Sequence, residues 1–413
     1  MYILYRRLIP VYFLILRIAA WFRSDAKAWV AGRVNWKQNL IKFKEQNLNQ
    51  SGRRIWMHVA SLGEFEQGRV LLEMIRKKHP EHQLVLSFFS PSGFDKLKNY
   101  PLADCVCYFP SDNYKEVKDF IEIINPSLVM FVKYDFWFNC LDILANKKIP
   151  FCFVSMILRK NHYLLYRINK SLLYKLKPAQ QLFLQNEESY KLLKDQSFSN
   201  IQKVGDTRWD RVEQIAHENK TIPKIEYFCN SEKIWIAGSI WLEDLDCLEN
   251  GIRKSIEAGW KIILVPHKID AESILQIENR FEGQSLRYSN LHGNIEVPIL
   301  IMDQIGFLAA LYRYAQFAYI GGGFGKGIHN ILEALIYKIP LCFGPNYKKF
   351  PEAIQCIEHG MAFAINSSDD FNEFIAKVSI QKNENKTHFD AYFVENLGAS
   401  ALIYSYLEEN NLI

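Results

Sequence analysis

The segment His58–Glu64 holds the residues best suited to acid–base chemistry. It reads His-Val-Ala-Ser-Leu-Gly-Glu and leads from an apolar strand into a helix-length stretch that reaches Lys78. Gly63 would let the backbone turn tightly, and the free N–H groups and dipole of a helix N-terminus suit an anion. Glu64 could be a general base that takes a proton from an attacking hydroxyl, or it could only stabilise its own helix. The sequence leaves both interpretations open.

A second segment, Tyr319–Ala334, has five glycines in seven residues between a strand and a helix. Such a backbone can approach a nucleotide or sugar closely. It has no Gly-Lys-Ser/Thr ending, so it is not a P-loop, and it lacks the spacing of a dinucleotide fingerprint. Glu333, in the first helical turn, could reach a ribose diol, and Asn330 could contact the loop or the ligand. These polar residues, with His329, weaken the alternative of a flexible hairpin.

Three more polar segments follow apolar strands in the second half of the chain, so they could meet in one crevice. They are Ala237-Gly238-Ser239, Val265-Pro266-His267-Lys268 and Met302–Phe307. A turn at Gly306 opens a predicted helix and could bind a phosphate through backbone N–H groups. His267 and Lys268 offer donors and positive charge, although each taken singly is more typical of a solvated loop.

Lys133 and Asp135 follow another predicted strand, in the first half of the chain. They could contact a phosphorylated acceptor, and a local ion pair is the simpler alternative. The aromatic residues beside them, Phe136 and Phe138, are more typical of a core.

The elements that must position these residues form two series of strands. In each, short apolar runs alternate with helix-length amphipathic stretches, which is typical of a doubly wound parallel sheet. The first series is Ile55–Ala60, Gln83–Phe89, Asp104–Phe109, Leu128–Val132, Pro150–Ser155, Gln180–Gln185 and Ile201–Val204. The second is Lys233–Ala237, Lys261–Val265, Ser285–Tyr288, Pro298–Met302, Gln316–Ile320, Pro340–Phe343 and Met361–Ile365.

We therefore predict an α/β protein with two Rossmann-like domains that face a central cleft, an architecture that resembles the GT-B glycosyltransferase fold. The predicted divisions are an N-terminal membrane anchor and basic segment (1–50), an acceptor-binding domain (51–210), a linker (211–232) and a donor-binding domain (233–413). The final helix could cross back to the first domain.

Charge is distributed unevenly along the 413 residues. The whole chain carries +5, but residues 1–50 hold nine Lys/Arg and two acids, so that stretch carries +7 and the remainder −2. A composition of 49% hydrophobic and 23% charged residues excludes a disordered or collagen-like chain, and the small net charge does not favour nucleic acid as a partner.

The basic stretch contains an apolar run of 15 residues, Leu8–Phe22, interrupted by Arg17. A membrane span needs about 20 apolar residues, and no small-residue cleavage site follows the run. The run favours an interfacial anchor on anionic lipid, or a short span with snorkelling arginines. A buried first helix is the alternative.

Eight cysteines include no Cys-x-x-Cys pair. They are typical of small buried hydrophobes in a reducing compartment, and no zinc site is expected.

Four motifs in this order resemble the 3-deoxy-D-manno-octulosonic acid (Kdo) transferases of lipopolysaccharide synthesis. They are Ser61-Leu62-Gly63-Glu64, Gly321–Glu333, Phe343-Gly344-Pro345-Asn346 with Phe350, and Asn396-Leu397-Gly398-Ala399. The resemblance implies an inverting GT-B enzyme that moves Kdo from CMP-Kdo onto the lipid A precursor, lipid IVA. It also implies a location at the cytoplasmic face of the inner membrane and no metal or other cofactor.

The resemblance also implies roles for individual residues. Glu64 would be the general base. The donor would lie with its base beside Pro266, its phosphate at Gly306 and its ribose on Glu333. The donor-binding set would be Ser239, Pro266, His267, Lys268, Ile305, Gly306, Phe307, Gly323, Gly325, Asn330 and Glu333. The acceptor-binding set would be Ser61, Gly63, Lys133 and Asp135.

Three segments depart from the family pattern. The family's Glu-Thr-Glu-Leu-Trp-Pro-Asn is replaced by Lys133–Asn139, its Pro-Arg-His by Pro266-His267-Lys268, and its Ser-Thr-His by Ser239-Ile240-Trp241. Two other functions remain as rivals. One is a UDP-sugar transferase or epimerase on the same fold, and the other is a membrane-tethered binding protein without catalysis.

Overall fold

The computed structural model describes residues 1–47, 52–218, 221–229, 233–293, 297–380 and 386–413. The chain divides into two compact units. The first contains Met1–Arg211 and Asn396–Ile413, and the second contains Val212–Glu395.

The first unit is built on a seven-stranded parallel sheet in the order β3-β2-β1-β4-β5-β6-β7. Its strands are β1 (Arg54–Val59), β2 (Gln83–Phe88), β3 (Cys105–Tyr108), β4 (Leu128–Val132), β5 (Phe151–Met156), β6 (Gln181–Leu184) and β7 (Ile201–Lys203). The helices before and between them are α1 (Tyr2–Ala19), α2 (Ser24–Ala31), α3 (Trp36–Gln46), α4 (Leu62–Lys78), α5 (Pro91–Leu97), α6 (Tyr114–Ile124), α7 (Phe138–Asn146), α8 (Lys170–Leu173) and α9 (Glu187–Lys194).

Helix α4 packs very closely on this sheet. A Cβ atom at Gly68 would lie 2.6 Å from Met57 Sδ and 3.0 Å from a Val132 methyl. A larger residue at this position would have to displace the buried Met57 side chain. This contact places the start of α4, with Ser61 and Glu64, directly after the carboxyl end of β1.

The second unit has its own seven-stranded parallel sheet, in the order β10-β11-β9-β8-β12-β13-β14. Its strands are β8 (Ile234–Ile240), β9 (Lys261–Pro266), β10 (Ser285–Arg287), β11 (Ile299–Ile301), β12 (Phe317–Ile320), β13 (Leu341–Phe343) and β14 (Ala362–Ala364). The other α-helices of the described residues are α10 (Arg208–His217), α11 (Ile225–Phe228), α12 (Leu242–Glu257), α13 (Ala271–Arg280), α14 (Leu308–Leu311), α15 (Leu332–Leu335), α16 (Pro351–Glu358), α17 (Ser368–Ile380), α18 (Lys386–Asn396) and α19 (Ala399–Glu409).

The two parallel sheets confirm the predicted α/β class. All fourteen predicted strands are present, with ends that differ by at most three residues. The agreement has a simple cause, because the central strands are buried on both faces and appear in the sequence as continuous apolar runs. Strand β4, for example, is buried at every position.

The structure adds detail at both ends of the predicted second domain. Residues 211–232, predicted as a linker, include most of α10 and all of α11, while 219, 220 and 230–232 lie outside the described residues. Helix α19 belongs to the first unit, because Ile403, Tyr404 and Leu407 join the core cluster beneath α4. Asp210 also accepts hydrogen bonds from the Gly398 and Ser400 amides, at 2.7 and 2.6 Å.

The predicted N-terminal segment 1–50 is also part of the first unit rather than a separate element; residues 48–50 lie outside the described residues. Phe13 of α1 is buried and stacks on Trp29, with ring centroids 5.4 Å apart. The Tyr5 hydroxyl donates to Asp112 at 2.6 Å, and burial raises the pKa of that carboxyl to about 7. Helix α1 is thus held on the first unit along one side.

The opposite side of α1 is apolar and exposed. Ile3, Leu8, Leu14 and Ile15 are each more than half exposed, and Trp21 and Phe22 just beyond the helix are more than four-fifths exposed. This differs from the alternative of a buried first helix. In the part of the chain that the structure describes, we find no helix with both the length and the apolarity to cross a membrane.

Candidate active-site residues

The Glu64 side chain is held by the N-cap residue of its own helix. Ser61 is the N-cap of α4, with an extended backbone, and its Oγ donates to Glu64 Oε2 at 2.9 Å. Glu64 lies in the first turn, where the helix dipole stabilises negative charge, and it is only partly buried. The carboxylate is therefore oriented at one oxygen and still accessible, as a general base requires.

Gly63 does not have the conformation that we expected for it. It lies inside the first turn of α4, and the nearest atom to a Cβ built there would be Ser61 Oγ at 4.0 Å. Neither a tight turn nor crowding requires glycine at this position. Because Gly63 has no side chain, the space over the helix N-terminus beside Glu64 is open.

A buried polar group lies directly behind this helix start. His58, in β1, is fully buried, and its Nε2 lies 2.8 Å from Asp135 Oδ2 and 3.1 Å from Trp137 Nε1. Its Nδ1 lies 2.8 Å from Ser87 Oγ in β2. Asp135 therefore meets the end of β1, next to the strand that leads to Glu64.

Lys133 is the first residue after β4 and has a positive φ of 65°, a conformation that non-glycine residues seldom adopt. Its amide donates to the Val154 carbonyl at 2.8 Å, which fixes the bend. Strained residues of this kind are frequent at functional sites. Asp135 faces His58, and the Lys133 ammonium lies 5.9 Å from the Tyr134 ring centre.

In the second unit, the glycine-rich segment is a compact loop held by internal hydrogen bonds. The Gly325 and Gly327 amides both donate to the Gly322 carbonyl, and the Gly321 amide donates to Gly238. A Cβ at Gly321 would lie 2.2 Å from the Ser239 carbonyl oxygen. The loop is ordered and is not the flexible hairpin of the alternative interpretation.

The Phe343–Asn346 segment braces the other side of the loop. A Cβ at Gly323 would lie 2.4 Å from the Gly344 amide nitrogen, so the two backbones are in direct contact. The Asn346 backbone N–H donates to the Gly323 carbonyl at 3.0 Å, and the Asn346 side-chain NH₂ donates to the Gly325 carbonyl at 2.8 Å. Gly325 itself stays exposed at the surface of the loop.

Asp244 holds the same loop in place through hydrogen bonds. This fully buried carboxylate accepts from the Tyr319 hydroxyl at 2.7 Å, from the Gly322 amide at 2.9 Å and from the Trp241 amide at 2.8 Å. Burial, with Asp244 as the next cause, raises the pKa of Tyr319, which stays a hydrogen-bond donor. The carboxylate joins β12, the loop and the start of α12.

An aromatic stack covers the ends of β8 and β9. The rings of Trp241 and His329 both lie 4.4 Å from the His267 ring, and the Trp241 N–H donates to His329 Nε2 at 3.1 Å. Burial lowers the pKa of His329, and the neighbouring His267 lowers it further; burial and Lys268 lower the pKa of His267. Both imidazoles are therefore neutral near pH 7.

Asn330 and Glu333 form a pair at the end of the loop. The Asn330 side chain donates to Glu333 Oε1 at 3.1 Å and accepts from the Leu332 amide at 3.2 Å. Both residues remain partly exposed. Glu333 lies in the first turn of α15, as predicted, and its carboxylate could accept hydrogen bonds from a diol.

The predicted phosphate site at Gly306 is less well supported by the geometry. Helix α14 has only four residues, so the helix dipole expected there is small. Ile305 is 80% exposed, and a Cβ at Gly306 would have no heavy atom of the described residues within 4 Å. Phe307 is fixed by Tyr288, with ring centroids 5.6 Å apart. The segment is an open turn at the end of β11.

Pro266 and Lys268 lie on either side of His267. Pro266 is the buried last residue of β9, and Lys268 is exposed with its ammonium 5.4 Å from the Trp241 ring centre. Within the second unit, the structure therefore brings Ser239, His267 and the glycine-rich loop together, and leaves Ile305 and Gly306 projecting.

His79, Glu81 and His82 also form a group, with ligand atoms within 4.8 Å of one another. They lie where α4 ends and β2 begins, at the opposite end of the strands from the candidate residues. The two imidazoles stack with an interplanar angle of 13°, so their in-plane lone pairs run side by side and do not converge. This geometry does not favour a metal ion.

Two residues that hold candidate site residues in place were given no role of their own by the sequence. Asp244 is an acid in the first turn of an amphipathic helix, a pattern that usually indicates only a helix start. His58 is a single histidine inside an apolar strand. Their partners, Gly322 and Asp135, are each more than 70 residues away in the chain, so no local signal could have found them.

Known proteins resemble this chain in sequence and in fold. Residues 34–211 match the family model described as 3-Deoxy-D-manno-octulosonic-acid transferase (kdotransferase). The 3-deoxy-D-manno-octulosonic acid transferase of Aquifex aeolicus is 25% identical over 83% of this chain and 91% of its own length. That of Chlamydophila psittaci is 24% identical over 84% and 86%.

The fold resembles that of the UDP-GlcNAc 2-epimerase from Neisseria meningitidis, whose structure was solved with UDP-GlcNAc bound. The TM-score is 0.62 at 13% identity, over 86% of this chain and 100% of the other. At that identity the likeness concerns the fold alone. The sequence matches confirm the resemblance predicted from the motifs: over most of its length this chain is similar to Kdo transferases.

Proposed function

We propose that the protein transfers Kdo from CMP-Kdo to a hydroxyl of the lipid A precursor, lipid IVA. The observation that carries the proposal is the Ser61–Glu64 arrangement, an oriented and accessible carboxylate at a helix N-terminus beside the open space over Gly63. The relationship to Kdo transferases supports the choice of sugar.

In the proposed reaction, the acceptor hydroxyl oxygen attacks the anomeric carbon of Kdo. The bond from that carbon to the CMP phosphate oxygen breaks, and Glu64 takes the hydroxyl proton. A single displacement inverts the configuration at the anomeric carbon. Because CMP leaves with the bonding electrons, positive charge near its phosphate stabilises the transition state, and the exposed Lys268 ammonium could supply it.

We propose that the second unit binds the donor. Glu333, with Asn330 beside it, accepts from the ribose hydroxyls, while the cytosine lies near Pro266 and the Trp241–His267–His329 stack. The acceptor binds the first unit, where Lys133 replaces a family acid and could pair with an acceptor phosphate. No metal is required, since a carboxylate and a cationic side chain provide the base and the charge stabilisation.

The proposed location is the cytoplasmic face of the inner membrane, with α1 on the lipid surface. Exposed apolar residues on α1, including Leu8, Leu14 and Ile15, could insert between lipids, while the +7 charge of residues 1–50 attracts anionic headgroups.

The direct test is incubation of the purified protein with CMP-Kdo and lipid IVA, followed by mass measurement of the lipid. We expect the lipid mass to rise by one or more Kdo units, and the increments count them. A known Kdo transferase assayed in parallel is the positive control. If that control modifies the lipid and this protein leaves it unchanged, the proposal is overturned.

A UDP-sugar transferase or epimerase, the rival enzyme that the sequence left open, remains the second candidate. A thermal-shift panel separates the two, since we expect CMP and not UDP to raise the melting temperature. Stabilisation by UDP alone would favour this second candidate.

A further inference from the structure

A chain of hydrogen-bonding groups runs through the sheet of the first unit to Asp135. The Trp56 N–H donates to Ser87 Oγ at 2.8 Å, and Ser87 Oγ lies 2.8 Å from His58 Nδ1. His58 and Ser87 are direct partners in the β1–β2 register. All three residues are fully buried, so water cannot substitute for a missing partner.

On its other side, the His58 ring has two competing partners. Nε2 lies 3.1 Å from Trp137 Nε1 and 2.8 Å from Asp135 Oδ2. This nitrogen carries either one lone pair or one hydrogen, so it can accept from Trp137 or donate to Asp135, but not both. In the structure the Trp137 N–H points at Nε2, and no donor among the described residues forms a hydrogen bond with the buried Asp135 Oδ2.

Ser87 permits the exchange between these two arrangements. Its hydroxyl always accepts from Trp56, because an indole N–H can only donate. The same hydroxyl can donate to Nδ1 when the imidazole hydrogen is on Nε2, and it can accept when the hydrogen is on Nδ1. Ser87 therefore satisfies Nδ1 in either tautomer; the exchange itself removes a hydrogen from one ring nitrogen and adds one to the other, so that Nε2 changes from acceptor to donor.

We propose that His58 is a positioning residue for Asp135 in the acceptor site: when Nε2 carries the hydrogen, it holds Oδ2 and fixes the carboxylate towards the acceptor. This rests on the proposed function. Oδ2 is buried, yet the Asp135 side chain retains 16% exposure, so its exposed part lies away from His58 and can accept from a substrate hydroxyl. Small displacements of such a group reduce turnover steeply.

The kinetic test compares His58→Gln with His58→Asn. The glutamine amide nitrogen reaches the place of Nε2 and can donate to Asp135, whereas the asparagine amide reaches only the place of Nδ1. We expect H58N to lower kcat/KM for the lipid acceptor about 10- to 100-fold. The KM for CMP-Kdo should stay the same in both variants, and H58Q should recover most of the activity.

An Asp135→Asn background separates positioning from a general effect on folding. If His58 acts through Asp135, H58N should cause little further loss in that background. Two results would overturn the proposal. One is an equal loss of kcat/KM in H58Q and H58N that parallels the fall in their melting temperatures. The other is a full further loss of kcat/KM when H58N is added to the Asp135→Asn background.

A spectroscopic measurement tests the arrangement without any activity. In protein with ¹⁵N-labelled histidine, long-range ¹H–¹⁵N spectra show which nitrogen of His58 carries the hydrogen. We expect Trp137→Phe to move it to Nε2 and additional Asp135→Asn to weaken that preference. No change in either variant would overturn the proposal. If the wild type transfers no Kdo, the proposed function fails, and this spectrum still decides whether His58 serves Asp135.

Discussion

Asp244 Oδ2 accepts a hydrogen bond from the Gly322 amide, 2.9 Å away, and so ties the glycine-rich loop to the start of α12. The same carboxylate satisfies the Tyr319 hydroxyl and the Trp241 amide. Both oxygens are thus in use inside a fully buried site. Loss of a buried acceptor leaves its donors without partners, which is the costly outcome.

We predict that Asp244→Asn weakens CMP binding and lowers the free energy of unfolding by about 1–3 kcal/mol. The asparagine NH₂ group cannot accept from two amides, so part of the loop is released. Urea unfolding and calorimetric titration with CMP measure the two effects. Asp246→Asn is the matched control on the same helix, because Asp246 is largely exposed. Wild-type CMP affinity in Asp244→Asn would contradict the role of Asp244.

We predict that Glu64→Gln abolishes Kdo transfer while CMP binding and stability stay close to wild type. The amide has nearly the shape of the carboxylate but cannot take a proton, and removal of a general base typically costs about 10²–10⁴-fold in rate. Mass measurement of the lipid product gives the rate. Glu66→Gln, two residues along α4, is the control, since Glu66 pairs with Arg69 and Arg211. A fully active Glu64→Gln enzyme would exclude the general-base role.

The stacked histidines predict a pH dependence of stability. The pKa of His329 is lowered in the folded state, whereas in the unfolded chain it is about 6.5. Between these values the unfolded chain binds more protons, so stability is full above about pH 6.5 and is lost as pH falls from there towards the folded-state pKa.

His329→Gln should reduce that loss, because glutamine can still accept from the Trp241 N–H and does not titrate. Urea midpoints of wild type and variant at pH 7 and pH 5 measure the difference. His359→Gln is the control, since His359 lies outside the stack. An equal acid-induced loss in wild type and His329→Gln would rule out this contribution.

We predict that Leu14→Glu and Ile15→Glu together greatly reduce binding to vesicles that contain anionic lipid. These side chains are 56% and 61% exposed on α1, and charged groups oppose insertion among lipid tails. Co-sedimentation with vesicles measures binding, and circular dichroism checks that the fold is retained. Ile168→Glu is the control, as Ile168 is an exposed apolar residue of the same unit that lies outside α1. Equal vesicle binding by all three proteins would show that α1 is not the contact surface.

Several structural features could be read directly from local sequence. The apolar runs at β4 and β9 predicted buried parallel strands, because a strand covered on both faces needs apolar residues at successive positions. Glu64 predicted a helix start, because a carboxylate in the first turn of a helix is a local signal. The glycine-rich segment was also evident, although its rigidity comes from Asn346 and Asp244.

The sequence by itself thus determined the two α/β units, the helix start at Glu64 and the glycine-rich loop, since each depends on neighbours within a few residues. Only the tertiary structure decided that Asp135 meets His58, that Asp244 holds Gly322 and that α19 joins the first core. Those contacts depend on strand order and on which apolar surfaces pack together. Residues that lie far apart in the chain meet only after the sheets have formed, so no local pattern encodes the pairing.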